Sequence, residues 1–203
     1  LDIFQDVFAY VVLLIALLLF HAAFTYSLFL KIIGGLNPLT FFRKMKDVAL
    51  FAFSTSSSAA TIPVTLKTTN QDLGVNQNVA SFVVPVGATI NMDGTAIMQG
   101  LATVFIAQMS GIDLTLFQYI QVILLAVATS IGTAAVPSAG TITLIIILQQ
   151  FNLPLEAIGI ILAVDRVLDM IRTSVNVTGD AAIACIVAKT ENQLDENIFN
   201  SKA

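Results

Sequence analysis

Two long apolar stretches of this chain are interrupted at their middles by small and polar residues, and no other feature narrows the fold as much. Residues 41–67 are cut by STSSSAATIP (Ser54–Pro63), and residues 117–150 by GTAAVPSAG (Gly132–Gly140). The pieces on either side run to about 9–15 residues, whereas a helix needs about 20 to cross a hydrocarbon core of roughly 30 Å. Backbone released from helical hydrogen bonds finds no partner in lipid, so such breaks belong inside protein or against a wet cavity. The reading is two re-entrant helical hairpins whose tips meet. A pair of interrupted apolar segments in corresponding places is a pointer to a transporter's binding site.

The three remaining apolar stretches, 7–33, 78–109 and 155–190, are each long enough to span, with some tilt. The chain is 57% hydrophobic and 11% charged, against roughly 45–50% and about 25% in soluble domains. The expectation is an all-α integral membrane protein with three spans and two hairpins. Lys31, Arg43, Lys44 and Lys46 cluster between the first two stretches, and the loop around Asp113 has no basic residue. The positive-inside rule then places the first loop in the cytoplasm, the N-terminal end outside and the polar tail, 191–203, inside. Nine basic residues and a net charge of −4 give no footprint for nucleic acid. The single Cys185 excludes a disulfide framework and reads as apolar filler. The chain begins without an initiator Met and is read as one transport domain, 1–203, from a longer protein.

The last stretch carries VDRVLDMIRTSVNVTGDAA, five formal charges within one expected helix. At about 100° per residue, Asp165, Asp169, Arg172, Asn176 and Asp180 share a sector about 80° wide, with Thr173 and Arg166 at its edge. Ionisable side chains inside a span are costly and point to a substrate or ion pathway. A ladder of charges that only holds helices together is the competing reading.

In GATINMDGTAIM, Gly87 to Met98, Asn91 and Asp93 would point about 200° apart on an unbroken helix. A local unwinding, with Gly87 and Gly94 supplying backbone freedom, brings both to one site. Freed carbonyls with carboxylate and amide oxygens suit a hard cation, and a proton-relay carboxylate is the rival. His21 reads as a packed or hydrogen-bonded helix residue. The NVT at Asn176 matches a glycosylation sequon but lies within the expected helix.

SSSAATIPVT, GATINMDGTA, SIGTAAVPSAG and DMIRTSVNVTGD, in this order and spacing, resemble the glutamate/aspartate transporter family, the dicarboxylate and amino acid:cation symporters. The resemblance implies an elevator-type transport domain with inverted repeats: helix 6 at about 7–33, hairpin 1 at 41–67, helix 7 at 78–109, hairpin 2 at 117–150 and helix 8 at 155–190. It also implies N-terminal scaffold helices beyond this chain and a homotrimer in the full-length protein, in the plasma (inner) membrane among lipid.

By resemblance, substrate contacts fall on Ser56, Ser58, Thr95, Val136, Gly140, Asp169, Arg172, Thr173 and Asn176. Sodium, the coupling ion, takes two or three sites: Gly87, Asn91, Asn176 and Asp180; Thr89, Ser130, Ile131 and Thr133; and Asn91 with Asp93. No organic cofactor is implied. The chain departs from family patterns at Ser56 and Met170, where some members carry Arg, and at Ala135, where Gly is common. Arg166, one turn before Met170, is a candidate to supply the missing charge.

The substrate class has a physical argument beside the resemblance. Asp169 offers a partner to an ammonium, and Arg172 offers a planar fork to a carboxylate. An acidic amino acid, glutamate or aspartate, satisfies both, whereas a simple dicarboxylate leaves Asp169 unpaired. The expected function is sodium-coupled symport of that amino acid. Proton-coupled symport of an acidic amino acid or dicarboxylate, a substrate-gated anion conductance, and a structural or sensory membrane protein are the alternatives. Enzymatic chemistry is not expected, because no nucleophile, base and orienting group occur together.

Overall fold

The computed structural model describes residues 2–201, and their regular elements are all helical. In chain order these are α1 (Asp2–Phe20), a π-helical turn (His21–Tyr26), α2 (Ser27–Ile32), α3 (Pro38–Thr55), α4 (Ser58–Gln71) and α5 (Gln77–Ile90). Then follow α6 (Asp93–Met109), α7 (Leu116–Ile131), α8 (Ala139–Gln150), a 3₁₀ turn (Leu155–Ala157), α9 (Ile158–Thr190) and α10 (Glu196–Asn200).

α9 is the axis of the molecule. Its 33 residues extend about 50 Å at about 1.5 Å each. α1, α3, α4, α5, α6 and α8 all pack against it. Leu168, Val175, Val177, Ala181 and Cys185 are buried there with Leu14, Leu18, Phe41, Met45 and Met98 from the surrounding helices. The outward faces are also apolar. Phe4, Phe8 and Phe20 on α1, Phe82 on α5 and Leu116, Phe117 and Leu124 on α7 are exposed. A surface so rich in large apolar side chains is built for lipid or for another protein. Among the described residues, Ile3–Ile32 is the helix both long and apolar enough to cross a membrane. α9 is long enough but carries the charges of its stripe, and residues 78–109 divide into two shorter helices.

The first interruption is narrower than STSSSAATIP suggests. Asn37 caps α3, with its side chain accepting from the Leu39 amide and Pro38 in the first turn. α3 ends at Ser56, which takes a left-handed φ of 50°. Ser57 is extended, and its hydroxyl accepts from the Ala60 amide to start α4. Pro63 lies within α4, where its missing N–H removes a single bond close to the helix start.

The second interruption is longer. Thr115 and Gln118 form a capping box that starts α7, and residues 132–138 separate α7 from α8. α3 packs on α4, and α7 on α8, as two helix pairs. Their tips are joined: the Ser57 hydroxyl donates to the Ala135 carbonyl at 2.9 Å, and the Ala59 amide donates to the same oxygen at 3.2 Å.

α5 and α6 break at Asn91 and Met92, which leave helical geometry with ψ of 68° and 46°. The flanking glycines do not make this break, contrary to the expectation from sequence. Both lie inside regular helix and serve close approach. A Cβ on Gly87 would stand 2.7 Å from Asp180 Oδ1, and one on Gly94 would stand 2.9 Å from Asn176 Oδ1. The second tip likewise does not turn on a glycine. Its left-handed residue is Ser138, with φ 59°, while Gly140 is helical and leaves room for Thr95, whose Cγ2 would meet an added Cβ at 2.7 Å.

Candidate functional site

The polar sector of α9 faces inward along its length. Asp165, Asp169, Arg172, Asn176 and Asp180 are all buried. The two helix-pair tips, the start of α6 and this sector enclose a small cavity lined by Ser56, Ser58, Met92, Thr95, Thr133, Val136, Gly140, Asp169, Arg172, Thr173 and Asn176 among others. All nine residues expected to touch substrate are therefore brought to one place. The cavity has about 20 Å³ of free volume, close to the room one water needs and far below the roughly 300–1,000 Å³ of ligand pockets. It is narrow.

Arg172 fills the centre. Its Nη1 donates to Asp165 Oδ1 at 3.2 Å and its Nη2 to Asp169 Oδ1. The Ser138 amide donates to the other oxygen of Asp169, Oδ2, at 2.9 Å, tying the second tip to α9. Two carboxylates against one guanidinium leave a formal excess of one negative charge in a dry setting, and Asp165 Oδ2 has no partner. Such a group asks for a cationic neighbour. The Ser56 hydroxyl is also buried without a partner at the cavity wall. Arg166 is exposed on another face of α9 and does not line the cavity, so the charge absent at Met170 is not returned there.

A second cluster lies beside the α5–α6 break. The Asn91 amide nitrogen donates to Asp180 Oδ1 at 3.0 Å and reaches the Asn176 carbonyl at 3.4 Å. Asn176 Oδ1 accepts from the Gly94 amide at 2.8 Å, and its amide nitrogen approaches Thr95 Oγ1 and Met92 Sδ, both at 3.4 Å. Carboxylate, amide and carbonyl oxygens, with Gly87 bare of Cβ against Asp180, form a donor set that fits a hard cation.

Asp93 makes no hydrogen bond within this cluster and reaches the π turn beside it. Its Oδ2 meets His21 Nε2 at 3.1 Å and the Tyr26 hydroxyl at 3.2 Å. His21 is thus a hydrogen-bonded residue. The remaining expected group is not gathered by hydrogen bonds. Thr89 is exposed and donates to Val86 on its own helix, Ile131 is exposed, and Ser130 donates to Val127. Thr133 bonds the Thr129 carbonyl and the Thr143 hydroxyl.

Several residues of the site were not anticipated from sequence. Gln99, fully buried on α6, donates to the Gly140 carbonyl and the Thr143 hydroxyl and accepts from the Thr129 hydroxyl, bonding both arms of the second tip at once. A glutamine in an apolar helix is the available signal for such a role. Ser57 and Tyr26 act through their hydroxyls, Ser138 through its backbone amide and Met92 by contact, with partners that composition does not reveal.

The family model described as the sodium:dicarboxylate symporter family matches residues 1–190. An excitatory amino acid transporter of Caenorhabditis elegans is 43% identical over 178 residues, which are 88% of this chain and 35% of the relative. Human excitatory amino acid transporter 2 is 44% identical over 178 residues, covering 88% and 31%, and mouse excitatory amino acid transporter 3 is 42% identical over 202 residues, covering 99% and 39%. The chain spans about a third of the length of these relatives. A match over almost all its residues, with the buried charges gathered at the meeting of two broken helices, places the chain in the sodium:dicarboxylate symporter family.

Proposed function

We propose that this chain is the substrate- and ion-binding part of a sodium-coupled symporter for an acidic amino acid. The observation that carries the reading is Arg172, 2% exposed and held between Asp165 and Asp169 in a narrow cavity bounded by both tips. An incoming amino acid supplies what this cluster lacks. Its ammonium meets the excess carboxylate charge at Asp169, its side-chain carboxylate takes the guanidinium fork, and Ser56, Ser58, Thr95, Thr173 and Asn176 offer hydrogen bonds around it. The cavity must widen first. Breaking the Ser138 to Asp169 bond frees the second tip, which then acts as a lid that recloses over substrate.

Sodium is co-transported at Asn91, Asn176, Asp180 and Gly87, at Asn91 with Asp93, and at Thr89, Ser130, Ile131 and Thr133 once the tip adjusts. Asn176 touches both the cavity and Asp180's neighbourhood, so cation binding and substrate binding stabilise the same arrangement. In the membrane the α3–α4 and α7–α8 pairs are re-entrant hairpins, entering from the cytoplasm and from outside, with α1–α2, α5–α6 and α9 as spans. The domain moves as an elevator past a scaffold supplied by the rest of a homotrimeric protein. The relatives' names and the family's description support the substrate class and the ion.

The test is competition by aspartate, glutamate, serine and alanine against a bound reporter, in the full-length protein at saturating sodium. Arg172→Cys removes one side of a buried charge pair, a loss of roughly 3–5 kcal/mol, so acidic substrates should weaken by about two to four orders of magnitude. Serine and alanine should bind as well as before or better. Parallel loss for all four would assign Arg172 to the fold and end the acidic-substrate reading.

A further inference from the structure

The π-helical turn His21–Tyr26 interrupts the C-terminal half of the apolar helix Ile3–Ile32, and π turns concentrate at functional sites. It sends two polar side chains inward to one oxygen. His21 Nε2 and the Tyr26 hydroxyl both lie against Asp93 Oδ2, at 3.1 and 3.2 Å, and their rings meet edge to face with centroids 4.8 Å apart. Tyr26 is 3% exposed.

The same hydroxyl has a second neighbourhood. A Cβ on Gly179 would stand 2.5 Å from the Tyr26 oxygen and 2.5 Å from Asn91 Nδ2, so hydroxyl and amide press on the same backbone position, next to Asp180. One phenol therefore lies between the carboxylate of Asp93 and the amide that holds Asp180.

We infer that Tyr26 is a specificity-determining residue of the cation site at Asn91 and Asp93. The inference rests on the sodium-symport reading. Donating its proton to Asp93 leaves the Tyr26 oxygen lone pairs free to face a cation, so the chain supplies one hard neutral ligand without adding charge. Ligand number and cavity size decide which hard cation a site prefers. Removing one oxygen should weaken sodium more than the smaller lithium, which is satisfied by fewer ligands.

Tyr26→Phe deletes the hydroxyl and keeps the ring against His21. The experiment reads the rise in melting temperature of the purified full-length protein as sodium or lithium chloride replaces choline chloride, without substrate, in wild type, Tyr26→Phe and Asp93→Asn. The expected result is a sodium midpoint raised about tenfold in Tyr26→Phe, about 1.4 kcal/mol, with a smaller change for lithium. An unchanged sodium midpoint in Tyr26→Phe, with a raised one in Asp93→Asn, would overturn the role of Tyr26 and leave the sodium site standing. Equal shifts for both ions, or a lowered melting temperature in choline with both midpoints unmoved, would also overturn it. If neither variant moves the sodium midpoint, the cation site at Asp93 itself fails.

Discussion

Gly87 carries a hydrogen where any other residue would place a carbon 2.7 Å from Asp180 Oδ1 and 3.0 Å from Asp180 Cγ. Asp180 is buried and tied to Asn91, so it has little room to give way. Gly87→Ala should cost about 1–3 kcal/mol as overpacking and displace the carboxylate from its donors. The expected outcome is a sodium midpoint for ligand binding raised about tenfold, read by titrating a reporter against sodium in both proteins. An unchanged midpoint would take Asp180 out of the ion site. The position of Gly87 was legible in the sequence, but its reason was not. A neighbour 93 residues away explains it, and only the packing of α5 on α9 brings that neighbour near. The stripe on α9 was legible because helical spacing alone sets which side chains share a face. The π turn was not, since it depends on which carbonyl each amide chooses, and HAAFTY has no composition that dictates that choice.

At the scale of elements, the two broken helix pairs differ in how their tips are held. The first tip is two residues, Ser56 and Ser57, with the Ser56 amide bonded to the Ala52 carbonyl and the Ser57 amide to Thr55 Oγ1. The second is seven residues, 132–138, held across to α9 by the Ser138 amide and joined to the first tip through the Ala135 carbonyl. Segments with few bonds of their own open at low free energy. Amides of residues 132–138 should therefore exchange hydrogen faster than those of 55–60 in ligand-free protein, and slow when substrate and sodium are added. Mass spectrometry of exchanged peptides measures this, and identical protection of the second tip with and without ligand would remove its role as a lid. The sequence showed where the chain must break through its Ser and Gly/Pro clusters. The left-handed residues at the breaks are serines, however, and glycine-based reasoning does not find them.

At the scale of the molecule, the C-terminal segment is fastened to α3 and to the end of α4. Lys44 Nζ donates to the Asp72 carbonyl at 2.8 Å, the Ile198 carbonyl at 2.7 Å and Ser201 Oγ at 3.2 Å. Phe199 is fully buried, and the Asp195 amide donates to the Gly74 carbonyl. Lys44→Met would take the ammonium from the part-buried Asp72 and Ile198 carbonyls, a loss of about 0.5–1.5 kcal/mol per bond. It should lower the melting temperature and expose residues 191–201 to protease, while substrate affinity at saturating sodium stays the same. A tail as resistant as in wild type would show that Phe199 alone holds it. The ammonium on α3 has acceptors 154 and 157 positions later in the chain. At roughly 5–20 residues per second, the ribosome delivers them roughly 8–30 s after Lys44 is made. Throughout that interval the α3–α4 pair must hold its place without this fastener, by its own packing and by that of the helices made after it.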